Sequence, residues 1–215
     1  MRGAVIDVAQ RTPEWFAARL GRLTGSAAKD MLAEIRTGEA AGRRDLRTRL
    51  VLERLTHLSQ EDGFINTAMQ WGIDHEDEAF GVYEAMTGSI VTRSGFVQHA
   101  NLLAGCSLDG HMGDFDTLLS IKCPKSATHL GYLKGGDKFP AEHMGQMLHE
   151  FWITGATRYD FLSYDPRFPP ALQTFFVSVT RDDAAVAAYE TKAKAFLAEV
   201  DREVETLTTL MKAVA

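Results

Sequence analysis

Between residues 89 and 123 the hydrophobic pattern changes its period. Upstream, apolar residues recur at helical spacing. Here IVTRSGFVQH, LLAGCSL and TLLSIKC are three short β-like runs, the last two joined by turn-rich GHMGD. Few folds accommodate that change. Strand candidates that follow several helices and precede more of them must share a sheet whose faces the helices cover.

The flanking segments point the same way. Thr12-Pro13-Glu14 before Trp15 and Phe16 reads as an N-cap, an N1 proline and an acidic first turn, so a helix runs to about Leu20. Thr24-Gly25-Ser26 opens a second helix through Ile35. Residues 42–58 place Leu46, Leu50, Leu52 and Leu55 on one helical stripe, and a polar SQEDG loop follows. Residues 67–87 read as a long helix with Trp71, Phe80, Tyr83 and Met86 inward and Gly88 as its stop. Beyond the strands, SATHLGYLKGG and AEHMGQMLHEFWITG are helical. YDFLSYD and TFFVSVT are strands around a YDPRFPP loop, and residues 181–215 form a terminal helix. The expected fold is α/β, a single domain over residues 1–215 with a mixed sheet and helices on both faces.

At 45% apolar and 24% charged residues, the chain is globular rather than disordered. It contains no apolar run of membrane-spanning length, and MRGAVIDVAQRTPEW is too short in apolar residues for a signal peptide. Cys106 and Cys123 show no metal spacing, so a reduced, cytoplasmic protein is expected. The net charge of −6 argues against a nucleic-acid partner until its distribution is considered. Residues 1–50 hold ten Lys/Arg against six Asp/Glu, a balance of +4 that leaves −10 elsewhere. A basic N-terminal surface permits one DNA-facing side; the same charges also describe solvated helix faces.

The chemistry concentrates in CSLDG and LLSIKCPK. Alternate residues of a strand share a face, so Ser107 pairs with Asp109 in direction, and Ser120 with Lys122. If the two strands pair, four polar groups converge at one sheet end. A lysine there needs an anion, because burying an unpaired ammonium is costly. In a metal-dependent phosphodiester hydrolase the aspartate holds Mg2+ and the lysine positions or deprotonates the attacking water. The alternative is a sheet-edge lysine that snorkels to solvent.

RTPEWFAARLGRLTGS, WGIDHEDEA, CSLDG, IKCPK, the glutamine of HMGQML and YDPR stand in one order along the chain. That series resembles the phage lambda exonuclease (YqaJ-type viral recombinase) family of the PD-(D/E)XK nuclease superfamily, from about Arg11 to Asp182. The resemblance implies a restriction-endonuclease-like mixed central sheet flanked by helices. It also implies a processive, Mg2+-dependent 5′→3′ exonuclease on linear double-stranded DNA. Such an enzyme releases 5′-mononucleotides and leaves 3′ single-stranded overhangs for recombination by a phage annealing protein. The family assembles as a ring-shaped homotrimer around DNA. Mn2+ can replace Mg2+, with two ions per site.

By position, Asp109 matches the central metal-binding aspartate, Lys122 the catalytic lysine, and the Ile121 carbonyl a further metal contact. Glu76 matches a helix-borne glutamate at the second metal, and Gln146 a glutamine near the attacking water. Ser107 would touch the scissile phosphate. Arg19 and Ser26, with Thr24 beside them, resemble the pocket for the 5′-phosphate, with Trp15 as core or pocket wall. A helix start at Ser26 and a bidentate donor at Arg19 suit an anion. Arg36 resembles a DNA-tracking arginine, and Met69 a wedge that parts the terminal base pairs. Read without the family, Glu76 belongs to a solvated acidic helix face, Met69 and Trp71 to the core, and Gln146 to a loop cap.

The family pattern departs at one place, because Ser120 stands where its glutamate belongs. A hydroxyl is a poor Mg2+ ligand beside a carboxylate. Losing even a residue that only orients a ligand typically costs about 10–100-fold. The chain is therefore expected to be weak or inactive, whether as a disabled variant or as a non-catalytic DNA-end clamp. Rescue by Asp114 or Asp116 is disfavoured, since Asp116 lies about 13 Å away along the strand at about 3.3 Å per residue. The S-x-x-K at Ser26–Lys29 lacks the companion motifs of penicillin-binding enzymes. His143 and His149 are not at zinc spacing, and no Walker A motif calls for ATP.

Overall fold

Local signals set most of the helices. In the computed structural model, which describes residues 2–60 and 66–214, helix α1 is Pro13–Arg19. The Thr12 side chain caps it by accepting from the Trp15 amide at 3.3 Å. Helix α3 is Ala41–Thr56 and α4 is Thr67–Thr87, the latter capped by Asn66 and stopped by Gly88 at φ 69°. Helices α5 (Ser126–Lys134), α6 (Met144–Thr154) and α7 (Asp183–Val214) follow as expected. Among the described residues no helix is long and apolar enough to cross a membrane.

Several expectations change. The helix from Gly25 is a 3₁₀ turn, Gly25–Ala27, continued only by α2, Ala28–Met31. Leu52 and Met86 are 42% and 46% exposed, so neither belongs to its helix's inner stripe; Val51 and Tyr83 do. Part of the SQEDG loop, residues 61–63, lies outside the described residues.

The strands form two four-stranded sheets rather than one central sheet. The first runs β1 (Arg2–Ile6), β3 (Phe96–His99), β4 (Ala104–Ser107) and β2 (Leu23–Thr24). The second runs β5 (Gly110–Met112), β6 (Thr117–Lys122), β7 (Arg158–Tyr164) and β8 (Thr174–Thr180). Each mixes parallel and antiparallel pairs. Strands β1, β2 and β5 carry weak local signals and depend on their partners. The three residues of β5 sit inside the turn-rich GHMGD.

The strand carrying CSLDG therefore does not pair with the strand carrying the lysine. β4 pairs with β3, and the chain passes through Leu108 and Asp109 into β5, which pairs with β6. Asp109 lies at the crossing between the sheets. Gly110 is required there, because a Cβ would stand 2.3 Å from Val91 Cγ1 and 3.3 Å from Phe80.

Both faces of β6 are covered, which explains its nearly continuous apolar run. Leu119, Ile121 and Cys123 pack with Phe80 and Tyr83 of α4. Leu118 and, on β7, Tyr159 and Phe161 belong to the larger core of α3, α6 and α7. Alternation then places Ser120 and Lys122 on the α6 side. The Phe151 ring of α6 meets the Tyr159 ring at 5.7 Å.

The basic N-terminal tract is partly consumed within the fold. Arg43, Arg47 and Arg54 of α3 pair with Glu199, Glu203 and Asp201 of α7.

Candidate active site

Asp109 is held by the strand that carries the lysine. Its Oδ2 accepts from the Ile121 amide at 2.8 Å, from Ser120 Oγ at 3.3 Å and from Lys122 Nζ at 3.4 Å. The β5–β6 register, Gly110 opposite Leu119, brings this about. Acid and lysine thus meet as expected, by a different strand pairing.

Glu76 comes from α4. Its pKa is raised, first by burial and then by the charge of Asp109, with Arg11 opposing. Arg11 Nη2 lies 3.8 Å from Glu76 Oε2, and Arg11 holds φ 68°, a strained value for a side-chain-bearing residue. Two carboxylates that feel each other's charge, next to a lysine, suit a hard cation with oxygen ligands. Ser120, 2% exposed, supplies no third charge. Among the described residues, no three His, Cys, Asp or Glu side chains converge into a ready-made metal cage.

These groups open onto a cleft of about 550 Å3. Ser26, Met69, Glu76, Asp109, Ile121, Lys122 and Gln146 line it, together with Arg11 and His143. Met69 is half exposed at 52% and so is not core. The His143 pKa is pushed down to about 4 by burial and then by Lys122, which leaves the imidazole neutral. Asp114 and Asp116 are exposed in the turn between β5 and β6 and do not enter the cleft.

A second cluster lies around Ser107. Trp15 Nε1 donates to Ser107 Oγ at 2.8 Å, and Arg19 Nη1 does so at 3.5 Å. The Arg19 guanidinium lies over the Trp15 ring at 4.1 Å. Thr24 is buried, with its hydroxyl 3.3 Å from that of exposed Ser26. The short α2 gives Ser26 no long helix dipole. The donors that this cluster presents are the Arg19 guanidinium and the hydroxyls instead. Arg36 is exposed in the segment after α2, away from the lining of the cleft.

Sequence reasoning missed Arg11, His143 and, above all, Glu150. Glu150 is 2% exposed on α6, one turn after Gln146, whose Nε2 donates to Glu150 Oε1 at 2.8 Å. Burial pushes its pKa up to about 7, with Asp109 adding to the rise. The four-residue spacing to Gln146 was the available signal.

Residues 14–157 match the YqaJ-like viral recombinase domain. An alkaline exonuclease (LHK-Exo) from Laribacter hongkongensis, solved alone and in complex with dAMP, is 40% identical in sequence with a TM-score of 0.86. That alignment covers 95% of this chain and 100% of the other. A phage-related exonuclease from Haemophilus somnus 129PT shares the fold at 12% identity and TM-score 0.63, covering 86% and 96% of the two chains. No curated protein matches the sequence.

Proposed function

Because the chain belongs to the YqaJ-like viral recombinase family, we propose that it is a metal-dependent exonuclease that degrades linear double-stranded DNA from its 5′ ends. The observation that carries this reading is Asp109, fixed by the Ile121 amide and Lys122 and sharing its cleft with Glu76. Asp109, Glu76 and the Ile121 carbonyl are the groups that would hold Mg2+ or Mn2+. Such an ion neutralises phosphate charge and lowers the pKa of bound water.

The side chains divide the remaining work. Lys122 Nζ donates to the phosphate or the attacking water, and Gln146 orients that water. Arg19, Ser107, Thr24 and Ser26 grip the 5′-phosphate, with Arg19 stacked on Trp15 so that its donor fork is pre-oriented. Met69, exposed at the cleft, would part the terminal base pair, and Arg36 would follow the backbone. Release of 5′-mononucleotides agrees with the dAMP bound to the Laribacter exonuclease. A homotrimeric ring around DNA would make degradation processive without ATP. The 3′ strand would then pass to a single-strand annealing protein in the host cytoplasm.

Ser120 favours a second reading, a DNA-end clamp that does not cut. Digestion separates the two. Linear duplex with 5′-phosphate should be shortened in Mg2+, faster than 5′-hydroxyl duplex, while closed circles stay intact. Arg19→Ala should shrink the preference for phosphorylated ends about tenfold, the scale of one charge-assisted hydrogen bond. Linear DNA that is bound at its ends but never shortened would establish the clamp. Cutting of circles would refute both readings.

A further inference from the structure

Ser120 and Glu150 meet at one hydroxyl. The parallel register of β6 and β7 sets Leu118 beside Tyr159 and Ser120 beside Phe161, on the face that α6 covers. Tyr159 therefore stands next to Ser120, and its side chain lies within interaction range of both Ser120 and Glu150. The Glu150 carboxylate thus approaches from the neighbouring helix the same Tyr159 side chain that stands beside Ser120. It senses the charges of Asp109 and Lys122.

Glu150 is otherwise hard to explain. It is buried, and its hydrogen-bond partners are neutral: the Gln146 amide and the Tyr159 hydroxyl. Among the described residues it has no ion pair. A buried carboxylate without a cation is costly, and a glutamine of equal shape would keep an acceptor for Gln146 at less expense.

We propose that Glu150 is a further metal-binding carboxylate of this site beside Asp109 and Glu76, supplied from α6 in place of the glutamate that the family pattern puts at position 120. The proposal rests on the metal-dependent nuclease reading and completes it. Turning toward the ion, Glu150 would exchange its 2.8 Å bond with Gln146, freeing that amide for the attacking water. Ser120 is then half of an exchange: the small residue on the strand makes room for the long acid on the helix.

The test measures Mn2+ binding to the purified full-length chain by calorimetry and by electron paramagnetic resonance, alongside digestion of linear duplex. Glu150→Gln keeps an acceptor for Gln146 while removing the charge. It should weaken Mn2+ binding about 10–100-fold and slow digestion in step, with an unchanged circular dichroism spectrum. Ser120→Glu combined with Glu150→Gln should restore both to near the parent level. If Glu150→Gln fails to fold, Glu150→Asp, which keeps the charge but shortens its reach, should bind Mn2+ more weakly than the parent. A parent that binds and digests, with Glu150→Gln equal to it or with the double variant no better than Glu150→Gln, overturns the inference alone. A parent that neither binds Mn2+ nor digests overturns the nuclease reading on which it rests.

Discussion

Asp160 and Glu150 are both carboxylates buried against strand β7, on its opposite faces, and they are held in opposite ways. Asp160 accepts from Tyr83 Oη at 2.6 Å, Ser178 Oγ at 2.5 Å and Arg158 Nε at 3.1 Å. Both of its oxygens are used and a cation is among the donors. Glu150 accepts only neutral donors. A buried charge whose partners complete it belongs to the scaffold. One whose surroundings leave it short of positive charge is poised for something that arrives.

Neutralising each acid is the sharpest way to break that comparison. Asp160→Asn should cost about 3 kcal/mol in urea unfolding, since it weakens the charge-assisted bonds that Tyr83 and Ser178 make to a buried carboxylate. Exonuclease activity per folded molecule should be retained. Glu150→Gln, assayed without divalent metal at pH 8, should unfold no more easily than the parent. Equal losses from the two substitutions would erase the distinction.

A neighbour sharpens it through pH. His149 bonds to Tyr189 Oη at 2.7 Å and to the Gly105 carbonyl at 2.9 Å, and burial pushes its pKa down to about 4. The ordinary value is 6.5, so the unfolded chain takes up the proton first as pH falls. The stability that His149 contributes is complete above 6.5 and is lost as pH drops toward 4. Between pH 7 and pH 5 the loss should be about 2 kcal/mol, read from urea midpoints at the two pH values, and should be absent in His149→Gln.

The smallest effects come from single hydroxyls. Tyr83→Phe removes one donor to Asp160 and should cost about 1.5 kcal/mol of stability with normal digestion. Tyr159→Phe removes the hydroxyl shared by Ser120 and Glu150, and should change Mn2+ affinity by a few-fold, measured by calorimetry.

Much of the site is legible in the sequence because its signals are local. The Thr12-Pro13 cap is present as expected, and the aspartate of CSLDG reaches the lysine strand although its own strand does not pair with it. Asp109 and Lys122 do meet. Other residues were misread for identifiable reasons. Leu52 and Met86 fit a helical stripe by spacing, but the neighbouring elements do not reach them. The helix expected to Ile35 stops at Met31. Strand β5 was hidden because three residues inside a turn-rich stretch carry no period of their own.

The loss of an acid at Ser120 is what the family resemblance implies; from the sequence alone follow the α/β class, most of the helix starts and stops, and the two motifs that carry the aspartate and the lysine. These depend on spacing, capping and side-chain chemistry, which act over a few residues. Only the tertiary structure decided that the strands divide into two sheets, that β5 rather than β4 pairs with the lysine strand, and that Glu150 and Ser120 both approach Tyr159. Positions 120 and 150 are brought together by the β6–β7 register and by α6 packing across it. That proximity is a long-range consequence of burying two apolar faces, and no local pattern encodes it.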